Sequence, residues 1–181
     1  MGKNSIFNML ENEKIKLRAV EPDDLKRLYD WENDTELWSL GSTIAPYSKY
    51  VLREFIKNAD KDIFTTKQLR LMIDNKQDNK TVGCVDLHDF DFFNQRVALG
   101  LLIDKNYRQK GFAFDTVEVI INYCFSFLKL RQIYCYIPAN NERSIKLFQK
   151  VGFLQNGILK DWMKTENDFC DVFVFQKIRL S

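Results

Sequence analysis

The sequence predicts an α/β domain in which helices pack on a mixed β-sheet. Three observations carry that reading. The middle of the chain alternates apolar and polar residues with a period of two, residues 111–152 follow a helix, strand, helix order, and the tail reads as two extended segments about a polar turn. With 181 residues and 45% apolar content the chain can bury a sizeable core, and residues 1–181 are expected to form one domain.

Ile15 to Ala19 alternate as a first strand. Glu21-Pro22-Asp23-Asp24 then opens a helix, with proline early and acids in the first turn, and Leu25, Leu28 and Tyr29 supply its buried face. A second helix is expected over 48–58, capped by Ser48, with Val51, Leu52, Phe55 and Ile56 at helical spacing. The period then changes to two: Leu69, Leu71 and Ile73, then Val85 and Leu87, then Val97, Leu99, Leu101 and Ile103 predict three successive strands. Polar stretches at 75–80 and 90–95 join them as hairpins. Gly111 opens a long helix ending near Leu130, with Val117, Ile120, Ile121, Cys124 and Leu128 on one stripe. Gln132 to Ile137 reads as a buried strand, Asn140-Asn141 as a cap, Glu142 to Val151 as a helix and Gly152 as its left-handed stop. Phe153 to Trp162 and Phe169 to Leu180 close the order as a hairpin about 164–168.

Composition excludes several classes. The 27 basic and 25 acidic side chains nearly cancel, which leaves no electrostatic footprint for nucleic acid. No charged-then-apolar leader and no run of about 18 apolar residues is present, so no membrane contact and a cytoplasmic location are expected. Gly2 does not complete a myristoylation motif, because the sixth residue is Ile6. Cys84, Cys124, Cys135 and Cys170 have no metal-ligand spacing, which predicts buried free thiols and no metal. His88 shares strand parity with Cys84 but stands roughly 13 Å along the chain from it, too far for a nucleophile pair. There is no serine elbow, no phosphate-binding lysine loop and no zinc helix motif.

The sharpest local feature is Arg108-Gln109-Lys110-Gly111-Phe112-Ala113, set between a strand and a helix N-terminus. Unpaired backbone N–H groups, the positive helix end and basic side chains together suit a pyrophosphate. An ordinary turn with solvated basic residues accounts for the hexapeptide equally well. A second segment, Asn141-Glu142-Arg143-Ser144-Ile145-Lys146-Leu147-Phe148-Gln149-Lys150-Val151-Gly152-Phe153, follows across a helix and a strand. The ordered pair resembles the GNAT superfamily of N-acetyltransferases. Leu17 to Leu25 and Trp31-Glu32-Asn33 are similar to its ribosomal-protein and spermidine acetyltransferase branch, and residues 14–180 can be laid on that pattern.

The resemblance implies a mixed seven-stranded sheet, helices on both faces, splayed between strands 4 and 5 to admit acetyl-CoA. It implies main-chain bonds from Leu101, Leu102 and Ile103 to the pantetheine arm, with the Leu102 N–H also facing the thioester oxyanion. It places the pyrophosphate on Arg108, Gln109, Lys110, Gly111, Phe112 and Ala113 with Phe114 beside them, and the pantetheine against Asn141 and Ser144. The chemistry implied is acetyl transfer to a primary amine, of a small molecule or a protein N-terminus, by direct attack in a ternary complex.

Two residues depart from the family pattern. Phe148 stands where a tyrosine often returns a proton to CoA thiolate, and Ala98 stands where spermidine acetyltransferases carry a glutamate. Both features favour the alternative of a CoA-binding sensor. Asp86, near the end of the third strand, is the candidate base, and a capped or solvated carboxylate is the plainer account of it. His88, the one histidine of the sequence, shares its parity and is a second candidate. Glu32 and Asp34 can attract a cationic amine or form a solvated turn. Phe90, Phe92 and Phe93 line an acceptor pocket, pack into the core or form a homodimer contact.

Overall fold

The computed structural model describes residues 9–38, 43–59 and 61–180, so Gly2 and Ile6 lie outside the described residues. Seven strands form one sheet: β1 (Ile15–Ala19), β2 (Leu69–Asn75), β3 (Thr81–Asp91), β4 (Arg96–Ile103), β5 (Gln132–Pro138), β6 (Leu154–Lys164) and β7 (Phe169–Ile178). Their order is β1-β2-β3-β4-β5-β7-β6. The helices are α1 (Leu25–Glu32), α2 (Thr35–Trp38), α3 (Lys49–Lys57), α4 (Ile63–Thr66), α5 (Phe112–Asn122) and α6 (Glu142–Lys150). No helix among the described residues is long and apolar enough to cross a membrane.

Every neighbouring pair is antiparallel except β4 and β5. These two run parallel and meet only at Arg96↔Gln132, Val97↔Ile133 and Ala98↔Tyr134. Beyond that point β4 stays paired to β3 as far as Ile103, and β5 stays paired to β7 as far as Pro138. The sheet is therefore splayed between strands 4 and 5, as expected. Strand alternation sends Leu71, Ile73, Val85, Leu87, Val97 and Leu99 to a core shared with α5 and α6. Met72 and Cys84 face the other way and pack with Leu28, Trp31 and Leu52 of α1 and α3.

Two arginines at even positions of β1 and β2 pin α1 to this second face. Arg18 donates from Nη1 and Nη2 to the buried Asp24 at 2.7 and 2.9 Å and from Nε to Asp74 at 2.7 Å. Asp24 also takes the Glu21 N–H at 2.9 Å, closing the start of the helix. Burial pushes the Asp24 carboxyl up, but Arg18 and the Glu21 N–H outweigh it and hold it below the usual carboxylate range. Arg70 performs the equivalent task at the other end of α1, described below.

Several local expectations are refined. Ser48 caps α3 through the Val51 N–H, but only Leu52 of the four apolar residues is fully buried, and Val51 faces outward. The long helix after Gly111 continues past α5 as a wider, π-type turn over Tyr123–Phe127. α2 and α4 are too short to give a periodic signal, and the sequence reading missed both. Gly152 stops α6 with φ +83°, as a left-handed stop requires.

Candidate active site

The loop after β4 is shaped by two left-handed residues, Gln109 at φ +62° and Gly111 at φ +83°. The first intrahelical bond of α5 runs from the Asp115 N–H to the Gly111 carbonyl at 3.2 Å. The N–H groups of Phe112, Ala113 and Phe114 precede it and point out of the helix end. Arg108, Gln109 and Lys110 are exposed around them, and Arg108 Nε bonds the Ile103 carbonyl at 3.3 Å. Lys14 holds the loop from behind: its ammonium donates to the Lys110 carbonyl, lies 3.4 Å from Asp115 and stands 4.9 Å over the Phe112 ring. A second lysine, Lys150 of α6, lies 4.9 Å over the Phe114 ring. The positive end of α5 is thus framed by cations, as an anion site requires.

Immediately before the loop, Asp104 ties α1 to the end of β4. Its Oδ2 accepts the Trp31 indole N–H at 2.9 Å, while Oδ1 accepts the Asn106 backbone N–H at 2.9 Å. Burial raises the Asp104 carboxyl, yet these bonds bring it below the usual range. A cleft of about 380 Å³ opens here between Trp31, Leu37, Leu102, Ile103, Asp104 and Arg108.

The ladder phase decides which main-chain atoms face the splay. The Asp104 N–H bonds the Val82 carbonyl at 2.9 Å, and β3 and β4 keep one register from Gly83↔Ile103 to His88↔Ala98. Antiparallel alternation then points the main chain of Leu102, Gly100 and Ala98 at β3. The groups of Leu99 point at β5, where Ala98↔Tyr134 is the last pair, and those of Leu101 and Ile103 point at the gap beyond it. The Gln95 carbonyl, in the same phase, takes the Arg131 and Gln132 N–H groups at the start of β5, which agrees. This corrects the reading of Leu102: its N–H is engaged with Cys84 and does not face a thioester. Leu101 and Ile103 keep open edges, and their side chains pack on the α5–α6 core.

On the far wall, Asn141 caps α6 by accepting the Ser144 N–H on Oδ1 at 3.2 Å, so Nδ2 is its remaining donor. Ser144 follows on the first turn of α6. Phe148 is buried with its ring edge-on to Phe153, centroids 5.0 Å apart.

The α1–α3 face carries the charged groups. Arg70 forks onto Asp86 with Nε to Oδ1 at 2.7 Å and Nη2 to Oδ2 at 2.9 Å. Its third nitrogen reaches Glu32 Oε1 at 2.5 Å, and the Phe55 ring of α3 covers the guanidinium at 5.3 Å. Burial lowers the affinity of Arg70 for its proton, and the charges of Asp86 and Glu32 more than restore it. The sequence reading named Asp86 and Glu32 separately and missed Arg70. Its signal was present as one cation inside the apolar run Leu69-Arg70-Leu71-Met72-Ile73. Asp34 reaches Lys105 at 4.0 Å. His88 Nδ1 lies 3.2 Å from Asp89, on an exposed rim. Asp89 has φ +52°, and the β3 irregularity there turns Phe90 off this face into the α5–α6 core. Phe90 stacks on Phe92 and Phe92 on Phe64, at 5.2 and 4.2 Å, while Phe93 is 95% exposed. The first two are therefore packing residues.

The class this fold defines is an α/β domain whose parallel pair β4–β5 parts beside a helix N-terminus, with open main-chain edges in the gap. The sequence model of the acetyltransferase (GNAT) domain family matches residues 14–154, and the chain belongs to that family of acetyl-CoA-dependent N-acetyltransferases. It is 27% identical over 171 residues to the uncharacterised N-acetyltransferase p20 of Bacillus licheniformis, covering 94% of this chain and 96% of the relative. It is 25% identical over 161 residues to a spermidine N(1)-acetyltransferase of Vibrio cholerae, covering 89% and 91%. The crystal structure of spermidine N-acetyltransferase from Vibrio cholerae in complex with CoA and spermine superposes with a TM-score of 0.84 at 22% identity, over 92% of this chain and 96% of that one, and shares its fold.

Proposed function

We propose that the chain moves an acetyl group from acetyl-CoA to a primary amine by direct attack in a ternary complex. The observation that carries this reading is the open edge of β4 at Leu101 and Ile103, past the last β4–β5 pair and followed in the chain by the N–H groups of Phe112–Phe114. In this reading the N–H groups of Phe112, Ala113 and Phe114, with Arg108 and Lys110, hold the pyrophosphate. Leu101 and Ile103 pair with the pantetheine from one wall, Asn141 Nδ2 and Ser144 from the other. The oxyanion role moves from Leu102 to the Leu101 N–H, one residue away on the open edge.

Asp86 first takes one proton from the substrate ammonium, freeing the lone pair. The amine nitrogen then bonds the carbonyl carbon, the carbon–sulfur bond breaks, and the second proton of the nitrogen passes through water to the thiolate, since Phe148 has none to give. Arg70 occupies one lone pair on each Asp86 oxygen, and the others stay available. An acyl-enzyme is disfavoured: Cys84, Cys124 and Cys135 are buried, and burial pushes their thiols up, away from the nucleophilic thiolate.

Calorimetry with acetyl-CoA, followed by thiol release against a panel of amines, tests the reading. Binding together with acceptor-dependent release is expected. Absence of binding refutes the site, and binding without release by any amine favours the sensor. Asp86→Asn should depress the rate across the pH profile, and an unchanged profile removes Asp86 from the mechanism.

A further inference from the structure

The acceptor side carries an inference that rests on the acetyl-transfer reading. Gly100 lies opposite Asp86 on β4, two residues past Ala98, where β4 and β5 part. A methyl group built on Gly100 meets one atom within 4 Å beyond its chain neighbours, the Asp86 Cβ at 3.6 Å. Among the described residues no other atom comes within 4 Å of that methyl position, which stands beside Asp86 at the point where β4 and β5 part. Asp86 and Glu32 carry two negative charges there, and Arg70 cancels one of them through three hydrogen bonds. Cys84 is buried and burial keeps it a neutral thiol, Lys49 sits over the Tyr29 ring, and Asp34 has Lys105. Asp89 is 69% exposed beside His88, where water and salt screen it.

We infer that the acceptor is a singly charged primary amine, its ammonium seated over Gly100 against Asp86, and that Arg70 determines this preference by holding the seat at one net negative charge. A polyamine brings two or more ammonium groups to a seat with a counter-charge for one. Ala98 leaves no carboxylate on β4 for a second.

The test compares kcat/KM on the intact enzyme for a monoamine such as benzylamine, a peptide with a free N-terminus and uncharged side chains, putrescine and spermidine. The singly charged acceptors should lead by about tenfold or more. Spermidine leading by that margin overturns the inference and leaves acetyl transfer standing, whereas release with no amine sinks acetyl transfer itself. Two variants locate the seat. Gly100→Val, whose Cβ meets only an ordinary contact, should raise the acceptor KM at least tenfold with the acetyl-CoA Kd within twofold. Glu32→Gln, which takes the seat to zero net charge and keeps Arg70 on Asp86, should raise the acceptor KM by about tenfold and leave the acetyl-CoA KM unmoved. An unchanged acceptor KM in both variants places the acceptor elsewhere.

Discussion

Gly111 and Gly152 share one backbone conformation, φ +83°, at the start of α5 and the end of α6, and so make a matched pair of perturbations. An alanine in the left-handed region costs about 1–2 kcal/mol at either position. The new Cβ would stand 2.8 Å from Lys14 Nζ at Gly111 and 2.7 Å from Lys177 Nζ at Gly152, so a lysine must move in each case. Lys14 then gives up the Lys110 carbonyl, and Lys177 gives up the Val151 carbonyl, each worth about 1 kcal/mol. Both variants should lose about 2–3 kcal/mol, a fall in Tm of roughly 5–10 °C for a chain of this size by thermal unfolding. Only Gly111 adjoins the N–H groups of Phe112–Phe114. Misaligning one charge-assisted bond there costs about 1.5–3 kcal/mol, so Gly111→Ala should weaken acetyl-CoA at least tenfold by calorimetry. Gly152→Ala should leave that affinity within twofold. Equal Tm losses with unchanged affinity in both would refute the assignment of the pyrophosphate to this loop.

Three further outcomes are expected. Asp24 is held below its ordinary range in the folded state, so its contribution is present above the unfolded value near pH 4 and is lost as pH falls through the lower folded value; Asp24→Ala should lower stability by about 2 kcal/mol at pH 7 and flatten the acid limb of a denaturant titration. Phe148→Tyr restores a hydroxyl where the family pattern has one, and general acid assistance of this type contributes about 10²- to 10⁴-fold, so kcat should rise at least tenfold; a flat kcat would place that hydroxyl away from the departing sulfur. Alkylation of the native protein at pH 8, read by mass spectrometry, should modify Cys170 first, because Cys84, Cys124 and Cys135 are buried and Cys124, for one, is pushed up to about 12 by burial.

The half of the site proposed for the cofactor can be read from local signals because it is made of main chain. A glycine at a helix start, basic residues before it and a second capped helix two elements later are all local signals, and each needs only its own few residues to be read. The acceptor half joins side chains far apart in sequence. Arg70 stands 38 residues from Glu32 and 16 from Asp86, and its place is set by the β2–β3 register, which no local pattern encodes. A solitary arginine among strand apolar residues says that a buried counter-charge exists without saying which one.

The misplacement of the oxyanion donor on Leu102 has a different origin. Period-two alternation tells which face a strand residue turns its side chain to, and Val97, Leu99, Leu101 and Ile103, read as one alternating run, do share the α5–α6 core. The same alternation governs which edge the N–H points to, but its phase is fixed only by pairing, here by the single bond from Asp104 to Val82. Once that bond is known, the two alternations lock together along β4. The even residues Ala98, Gly100 and Leu102 lie on the α1–α3 face and turn their main chain to β3, and the odd residues Leu99, Leu101 and Ile103 pack in the α5–α6 core and turn theirs to the β5 side, Leu101 and Ile103 into the gap. The strand can therefore present bare main chain to a thioester from its odd residues while its even residues, small at Ala98 and Gly100, clear the path for an amine. A donor assignment on any even residue of β4 is incompatible with this register, and the acceptor seat proposed above uses its smallest even residue, Gly100, where the strands part.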